Sequence, residues 1–250
     1  MDERTLARLR EQHTPEAIER RLGGPARQNY IGDAVLGAID GCITTFSVVA
    51  GAVGAGFSPV VVIILGSANL IADGFSMAVS NYQNARSREE FIEKARIEET
   101  AHIDAVPEGE REEVRQIFRA KGFSGETLER IVGTITAERR RWIDTMLVEE
   151  YGLPLEAPDA LTASLVTFVA FVGVGAIPLL PFVVSMAALD HAPILAAVLT
   201  LITFALIGIA KGYALKRPLF RSGLQTLLTG GAAAGLAYAV GYGLRQALGI

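Results

Sequence analysis

The chain has 250 residues, of which 50% are hydrophobic and 20% charged, and its net charge is −4. This weakly acidic balance argues against a nucleic-acid partner, because nucleic acids select basic surfaces. A single cysteine, Cys42, excludes an intramolecular disulfide framework. Residues 86–156 hold 17 of the 27 acids and 12 of the 23 bases. That distribution is typical of a membrane protein with one soluble insert.

The N-terminal segment, residues 1–29, carries too many charges to be a secretory signal. Residues 3–22 predict one amphipathic helix that ends at Gly23 and Pro25. Two interpretations remain open for this helix. It lies on the membrane surface, or it packs on the soluble insert.

Residues 30–85 predict the first two transmembrane helices, since a span needs about 20 mostly apolar residues. The first runs from about Asp33 to Phe57 and the second from about Val60 to Val79. No helix breaker follows the second span, and charged residues continue at helical spacing to His102. We therefore expect one long helix that leaves the membrane and continues into water.

Residues 86–156 predict a cytosolic helical insert that binds metal. After the end of the long helix, a second insert helix fits Glu110–Lys121, and a third fits Gly125–Tyr151. Glycines close both segments, as is common at helix C-termini. The insert is thus expected to have three helices.

Residues 157–250 predict three further spans. Leu161–Leu189 is uncharged and is expected to kink near Pro178. The next spans are Ala192–Leu215 and Ser222–Leu244, the second rich in small residues that allow close packing in lipid. The fold class is therefore an all-α membrane protein with five transmembrane helices and an insert between the second and third.

Basic residues predict the orientation in the bilayer. Lysine and arginine concentrate in the N-terminal segment, the insert and residues 211–221, whereas loops 56–59 and 190–193 have none. Because cytoplasmic loops carry the excess of basic residues, five spans place the N-terminus in the cytosol and the C-terminus on the other side.

The first span carries polar residues on one face: Asp33, Asp40, Thr44 and Ser47. A carboxylate inside a membrane costs at least about 2.5–3.5 kcal/mol, and such residues usually handle ions or protons. Asp40 is therefore a candidate ion-path residue. Cys42, on the same span, is more simply a small packing residue.

The second span has a polar stripe of Asn69, Asp73 and Met77, which step by four residues. Together the two spans could line a path for a divalent transition metal, since carboxylates suit hard ions and a thioether favours softer ones. The alternative is that Asp40 and Asp73 only make hydrogen bonds between helices, and that Met77 only fills space.

The insert offers a two-ligand face on each of its three predicted helices. Glu99 and His102 form a Glu-x-x-His pair, which di-iron carboxylate bundles use. The other pairs are Glu110 with Glu113, and Met146 with Glu150. Each pair alone is common on solvated helices, but three pairs in one insert favour a metal site.

The chain resembles the vacuolar iron transporter family, and looks like a bacterial-type member. The resemblance runs from about Tyr30 to the C-terminus. It is carried by Gly32-Asp33, Asp40-Gly41, Thr45-Phe46, Gly51, Ser76-Met77, Asn81-Tyr82, the glutamate-rich insert and Ile177-Pro178-Leu179-Leu180-Pro181.

The resemblance implies a five-span homodimer that moves ferrous iron out of the cytosol in exchange for protons. It implies metal capture by Glu99, His102, Glu110, Glu113, Met146 and Glu150. It also implies a membrane path through Asp40 and Met77, with Asp33 near the cytosolic mouth. Two positions depart from the family pattern. His102 stands where the pattern has glutamate, and Asp73 carries an acid while Asn69 occupies the turn where some members have one.

The sequence thus predicts an exporter of Fe²⁺, and of Mn²⁺ as a further cargo, with protons and the lipid bilayer as its other partners. It predicts no enzyme activity and no prosthetic group. The rival interpretations are a membrane-anchored di-iron oxidase, a manganese-selective transporter of the same fold, and a non-catalytic scaffold. Ala, Gly and Arg usage resembles that of a high-GC bacterium, which implies the plasma membrane. In a eukaryote the same topology suits the vacuolar membrane.

Overall fold

The computed structural model describes residues 2–23, 28–184, 192–214 and 218–249, and within these ranges it has no strand. The helices in chain order are α1 Glu3–Gln12, α2 Pro15–Leu22, α3 Ile31–Gly54, α4 Pro59–Ala105, α5 Pro107–Ala120, α6 Gly125–Thr136, α7 Arg139–Glu149, α8 Ala160–Gly175, a 3₁₀ turn Ile177–Leu179, α9 Leu180–Val184, α10 Ala192–Ala214 and α11 Leu219–Leu248.

Five of these helical segments are long and apolar enough to cross a membrane. They are Ile31–Gly54, Pro59–Ala105, Ala160–Val184, Ala192–Ala210 and Phe220–Leu248. The predicted fold class of five transmembrane helices is confirmed. Residues 185–189 of the predicted third span and Leu215 of the fourth lie outside the described residues.

α3 packs against four other spans: α4, α8, α10 and α11. Its glycines permit the closest contacts. A Cβ on Gly41 would lie 2.3 Å from the carbonyl oxygen of Phe171 on α8, and a Cβ on Gly37 would lie 2.3 Å from that of Thr167. Gly241 of α11 approaches Gly51 in the same way, with 2.1 Å from its ideal Cβ to the Gly51 oxygen. Small residues thus bring helix backbones together, as expected in lipid.

The third span is interrupted, as the sequence predicts. α8 ends at Gly175, and the 3₁₀ turn Ile177–Leu179 connects it to α9. Pro178 lies in this turn, where its missing N–H removes the donor that a continuous α-helix would need. Leu179 and Phe182 beyond the break remain buried in the core of the bundle.

α4 is one unbroken helix of 47 residues, which makes it about 70 Å long. Its first half contributes Val62 and Leu70 to the core of the transmembrane bundle. Its second half contributes Ala95 and Ile103 to the core of the insert. The prediction of one long helix that continues beyond the second span is confirmed, and α4 contributes to two separate apolar cores.

The prediction of a single third insert helix over Gly125–Tyr151 is wrong. The chain instead forms α6 and α7, because Glu138 adopts an extended backbone between them. Arg141 stabilises the turn by donating to the Thr134 carbonyl at 2.9 Å and to the Glu138 carboxylate at 2.7 Å. The turn lets both helices bury apolar faces, with Val132 of α6 and Trp142 of α7 in one core.

The predicted single helix over residues 3–22 is also two helices. Thr14 caps α2 through its hydroxyl, which accepts from the Ala17 N–H at 3.3 Å, and Pro15 follows in the first turn. A hydroxyl cap followed by proline is a strong start signal, so it ends α1 and begins α2. Neither helix has a buried residue. Gly24 and Pro25 of the predicted helix end lie outside the described residues.

Candidate metal centres

A chain reversal at the end of α4 brings the first group of ligands together. α4 ends at Ala105, and α5 begins at Pro107, whose ring fits the first turn of a helix. This turn places Glu110 of α5 beside Glu99 and His102 of α4. One ligand atom from each of these residues lies within 4.8 Å of the other two.

The two carboxylates in this group are buried. Glu99 is 0% exposed and Glu110 is 3% exposed. In the ionised form both are acceptors only, and neither oxygen of Glu99 has a donor among the described residues. A buried, unpaired carboxylate is costly, so the pair requires a proton or a cation between its members.

The electrostatics of the insert agree with this requirement. Burial raises the pKa of Glu99 to about 8, with further contributions from the charges of Glu110, Glu150 and Glu113. Burial also raises the pKa of Glu113, and the charge of Glu110 adds to this effect. The pKa of Glu150 is raised by burial first, then by Glu113 and Glu110. Perturbed acids that cluster in one place are typical of functional sites.

The other two predicted carboxylate ligands of the insert, Glu113 and Glu150, are outside this group. Glu113 lies one turn after Glu110 and is exposed, and Glu150 follows the last turn of α7. Both interact electrostatically with Glu110. Met146 is 0% exposed and belongs to the apolar core of the insert, beside Trp142 and Leu147. The described residues therefore bring three of the six predicted ligands within reach of one ion.

Tyr151 is a neighbour of this site that the sequence reasoning did not single out. Its side chain packs against the insert core. Burial raises its pKa, followed by the charges of Glu150 and Glu99. The signal in the sequence was its position next to Glu150, which alone does not distinguish it from any other surface tyrosine.

In the membrane, Asp40 of α3 and Asp73 of α4 are both partly buried and interact electrostatically. Asn69 donates its amide N–H to the Asp73 Oδ2 at 2.8 Å. Met77, one turn further along α4, packs against the apolar core of the bundle. The neighbouring spans α3 and α4 thus carry two carboxylates, an amide and a thioether.

Asp33 lies apart from this pair, in a hydrogen-bonded junction of three spans. Asn81 of α4 donates to the Asp33 Oδ1 of α3 at 2.8 Å and to the Thr167 hydroxyl of α8 at 2.8 Å. Asn81 also reaches the Ala163 carbonyl at 3.3 Å. Asp33, in the first turn of α3, therefore accepts a hydrogen bond from Asn81 that joins α3 to α4. Only the packing of the three helices reveals the role of Asn81.

These features define the class: a helical membrane protein whose second span extends into an insert with a group of side chains that could hold a metal ion. Residues 31–242 match the VIT family. The vacuolar iron transporter of Toxoplasma gondii is 31% identical over 248 residues, which cover 93% of this chain and 82% of that protein. Vacuolar iron transporter 1 of Arabidopsis thaliana is 32% identical over 209 residues, with 82% of each protein covered.

The chain therefore belongs to the VIT family. Both relatives are named as transporters, which agrees with the prediction that this protein is not an enzyme.

Proposed function

We propose that this protein exports ferrous iron from the cytosol across its membrane in exchange for protons, with Mn²⁺ as a second cargo. The observation that carries the proposal is the pair of buried carboxylates, Glu99 and Glu110, in which both oxygens of Glu99 and one oxygen of Glu110 lack a hydrogen-bond partner among the described residues. Glu99 is on α4, the helix that also forms the second span, and Glu110 is on the adjacent helix α5. The names of the relatives, vacuolar iron transporters, support iron as the cargo.

The first step is capture of the ion by the insert. Glu99, Glu110 and His102 supply two oxygens and one nitrogen, a donor set that suits Fe²⁺. Glu113 and Glu150 add negative charge around the group, and Met146 supplies a thioether after a local rearrangement of the core. The ion then passes to the membrane path of Asp40, Asp73 and Met77, with Asp33 near its cytosolic end.

The second step is release on the opposite side. An ionised carboxylate binds a divalent cation, whereas a protonated one is a poor ligand. Protons that enter from the opposite side therefore displace the ion from Asp40 and Asp73. These protons are released into the cytosol when the two carboxyl groups ionise again. Two carboxylates can exchange two protons for one divalent cation, which makes the cycle electroneutral.

The assembly and orientation follow from the same physical arguments. Five spans form a small bundle, and a homodimer can enclose an ion path between two copies of α3 and α4. The excess of lysine and arginine puts the N-terminus and the insert in the cytosol. Export is then directed out of a bacterial cell across the plasma membrane, or into the vacuole of a eukaryote.

The decisive experiment measures Fe²⁺ movement into proteoliposomes under an imposed pH gradient. We expect wild-type transport to depend on the gradient. Asp40→Asn should abolish it, since an amide cannot exchange a proton. Ser67→Ala, at an exposed position of α4, serves as the control and should transport normally. Transport by Asp40→Asn at the wild-type rate would contradict the proposed role of Asp40.

A di-iron oxidase is the second candidate, because Glu99 and His102 form a Glu-x-x-His pair beside Glu110. A full site of that kind uses two such pairs, and this chain has one. Oxygen consumption on addition of Fe²⁺ to the protein in detergent, together with no transport in vesicles, would favour the oxidase.

A further inference from the structure

The ligand group of the insert contains one residue unlike the others. Glu99 and Glu110 are buried, whereas the His102 side chain is 55% exposed. Its Nδ1 atom lies 3.8 Å from the Glu110 Oε1. His102 thus stands at the rim of a buried carboxylate pair and contributes the only nitrogen donor in the group.

These separations fit one shared ion. Metal–ligand bonds to nitrogen and oxygen are about 2.1 Å, so two ligands on opposite sides of one ion lie about 4.2 Å apart. The His102–Glu110 separation of 3.8 Å is within that limit. The largest separation in the group, up to 4.8 Å, exceeds it by roughly half an ångström, which a rotation of the exposed imidazole can close.

The other donors near the site do not duplicate the imidazole. Glu113 and Glu150 are carboxylates, which suit hard ions such as Mn²⁺, Mg²⁺ and Ca²⁺. Met146 is a soft donor, but it is fully buried in the apolar core of the insert. Within the group of Glu99, His102 and Glu110, selectivity for a borderline cation over a hard one therefore comes from His102, the only nitrogen donor.

We propose that His102 is the residue of the capture site that selects Fe²⁺ over Mn²⁺ and over alkaline-earth ions. This inference rests on the proposed function, because it concerns the same capture site. Imidazole binds Fe²⁺ more strongly than Mn²⁺, since affinity for nitrogen ligands rises along the first-row series. A site made of carboxylates alone would separate the two ions poorly. The position of one side chain at the rim therefore sets the cargo ratio.

The test measures binding to the full-length protein in detergent without oxygen. Trp142 is the only tryptophan and lies in the insert core, one turn from Met146, so its fluorescence reports on metal binding there. Fe²⁺ and Mn²⁺ are titrated separately and in competition. The variants are His102→Glu, which restores a carboxylate, and His102→Gln. His13→Gln, at the exposed residue that follows α1, is the matched control.

We expect His102→Glu to lower the ratio of Fe²⁺ to Mn²⁺ affinity by about tenfold or more, the lower range of the loss when a metal-site partner is changed. His102→Gln should weaken Fe²⁺ binding more than Mn²⁺ binding, and His13→Gln should change neither. With Co²⁺ as a spectroscopic substitute, the visible absorption bands should shift in both His102 variants because a nitrogen ligand is lost.

Three outcomes separate this inference from the proposed function. An unchanged Fe²⁺ to Mn²⁺ ratio in His102→Glu overturns the selectivity role, even if transport of Fe²⁺ is normal. A changed ratio in a protein that does not transport Fe²⁺ in vesicles supports the inference and overturns the proposed function. If the wild-type protein has no Fe²⁺ or Mn²⁺ binding that Glu99→Gln removes, both the selectivity role of His102 and the proposed function are overturned.

Discussion

At the scale of single residues, Glu99 sets the chemistry of the insert. Its carboxyl group is buried beside Glu110, and burial together with the neighbouring charges raises its pKa to about 8. At neutral pH the metal-free site therefore holds a proton, and a metal ion must displace it. In the proposed capture site, proton and cation compete for the same oxygens, so we expect metal binding there to depend on pH.

This competition predicts a pH-dependent stability of the metal-free protein. The pKa of Glu99 is about 8 in the fold against an ordinary value of 4.5. A group whose pKa is higher in the folded than in the unfolded protein contributes stability at pH values below its unfolded pKa. That contribution is lost as the pH rises through the folded pKa. The thermal unfolding midpoint of the metal-free protein should therefore decrease as the pH is raised from about 5 to about 8.

Thermal unfolding followed by Trp142 fluorescence, with a chelator present, measures this fall. Glu99→Gln stays neutral at every pH, so its midpoint should vary less over the same range. Added Fe²⁺ should restore the wild-type midpoint near pH 8. A wild-type midpoint that rises with pH would contradict the assignment.

A second residue-scale prediction separates packing from metal binding at Met146. Met146→Leu keeps the volume of this fully buried side chain and should cost less than about 1.5 kcal/mol of stability. Loss of the thioether should nevertheless weaken Fe²⁺ binding, because sulfur favours softer ions. Calorimetric unfolding and Fe²⁺ titration measure the two effects.

The neighbouring substitution Leu147→Met is the control, since Leu147 is equally buried in the same core. It should leave both properties unchanged. Wild-type Fe²⁺ binding by Met146→Leu would mean that Met146 only packs.

At the scale of helices, the contact between α3 and α8 holds in place the span that carries Asp40. The backbone of α8 passes so close to Gly37 and Gly41 that no side chain fits between the helices. This contact fixes the rotation of α3 and therefore the direction in which Asp40 faces. The glycines Gly37 and Gly41 on α3 are structural, whereas Asp40 on the same helix is a candidate for function.

Gly41→Ala should destabilise the bundle, since its Cβ would lie 2.3 Å from the Phe171 backbone oxygen and the backbone cannot move cheaply. Overpacking of this kind costs about 1–3 kcal/mol. Gly173→Ala on α8 is the matched control, because nothing lies within 4 Å of its Cβ. It should be neutral or slightly stabilising, by up to about 1 kcal/mol. Unfolding midpoints in detergent measure both, and equal midpoints would refute the close contact.

At the scale of the whole molecule, α4 is the only helix that enters both apolar cores among the described residues. It carries Asp73 in the bundle and Glu99 in the insert. Because the helix is continuous, we expect a displacement at one end to be transmitted to the other. In the proposed function, α4 thereby joins capture to transport.

Breaking this helix should separate the two activities. Ser87→Pro introduces a proline at an exposed position between the two cores, where it removes a helical hydrogen bond and costs about 3 kcal/mol or more. We expect Fe²⁺ binding to the insert to remain and transport into proteoliposomes to fall by about tenfold. Ser87→Ala should transport normally. Normal transport by Ser87→Pro would show that continuity of α4 is unnecessary.

Local signals in the sequence predicted α4. Features that depend on contacts between distant residues have no such signals and could not be predicted. No proline or glycine interrupts residues 75–105, so the long helix was predictable. The break at Glu138 carries neither residue and depends on tertiary contacts of Arg141. The spacing of Glu99 and His102 was readable, but the approach of Glu110 depends on the reversal before Pro107. The Asn81 junction was unpredictable because three separate helices must pack to form it.

The length of α4 also has an electrical consequence. Asn81 bonds to residues near the first turns of α3 and α8, which places it at the end of the bundle that is closer to the insert. Glu99 lies 18 residues further along α4, about 27 Å away. That distance is about three screening lengths in physiological salt. In the proposed transport cycle, membrane voltage, worth about 2.3 kcal/mol per charge per 100 mV, therefore acts on an ion at Asp40 but leaves loading of the insert unaffected.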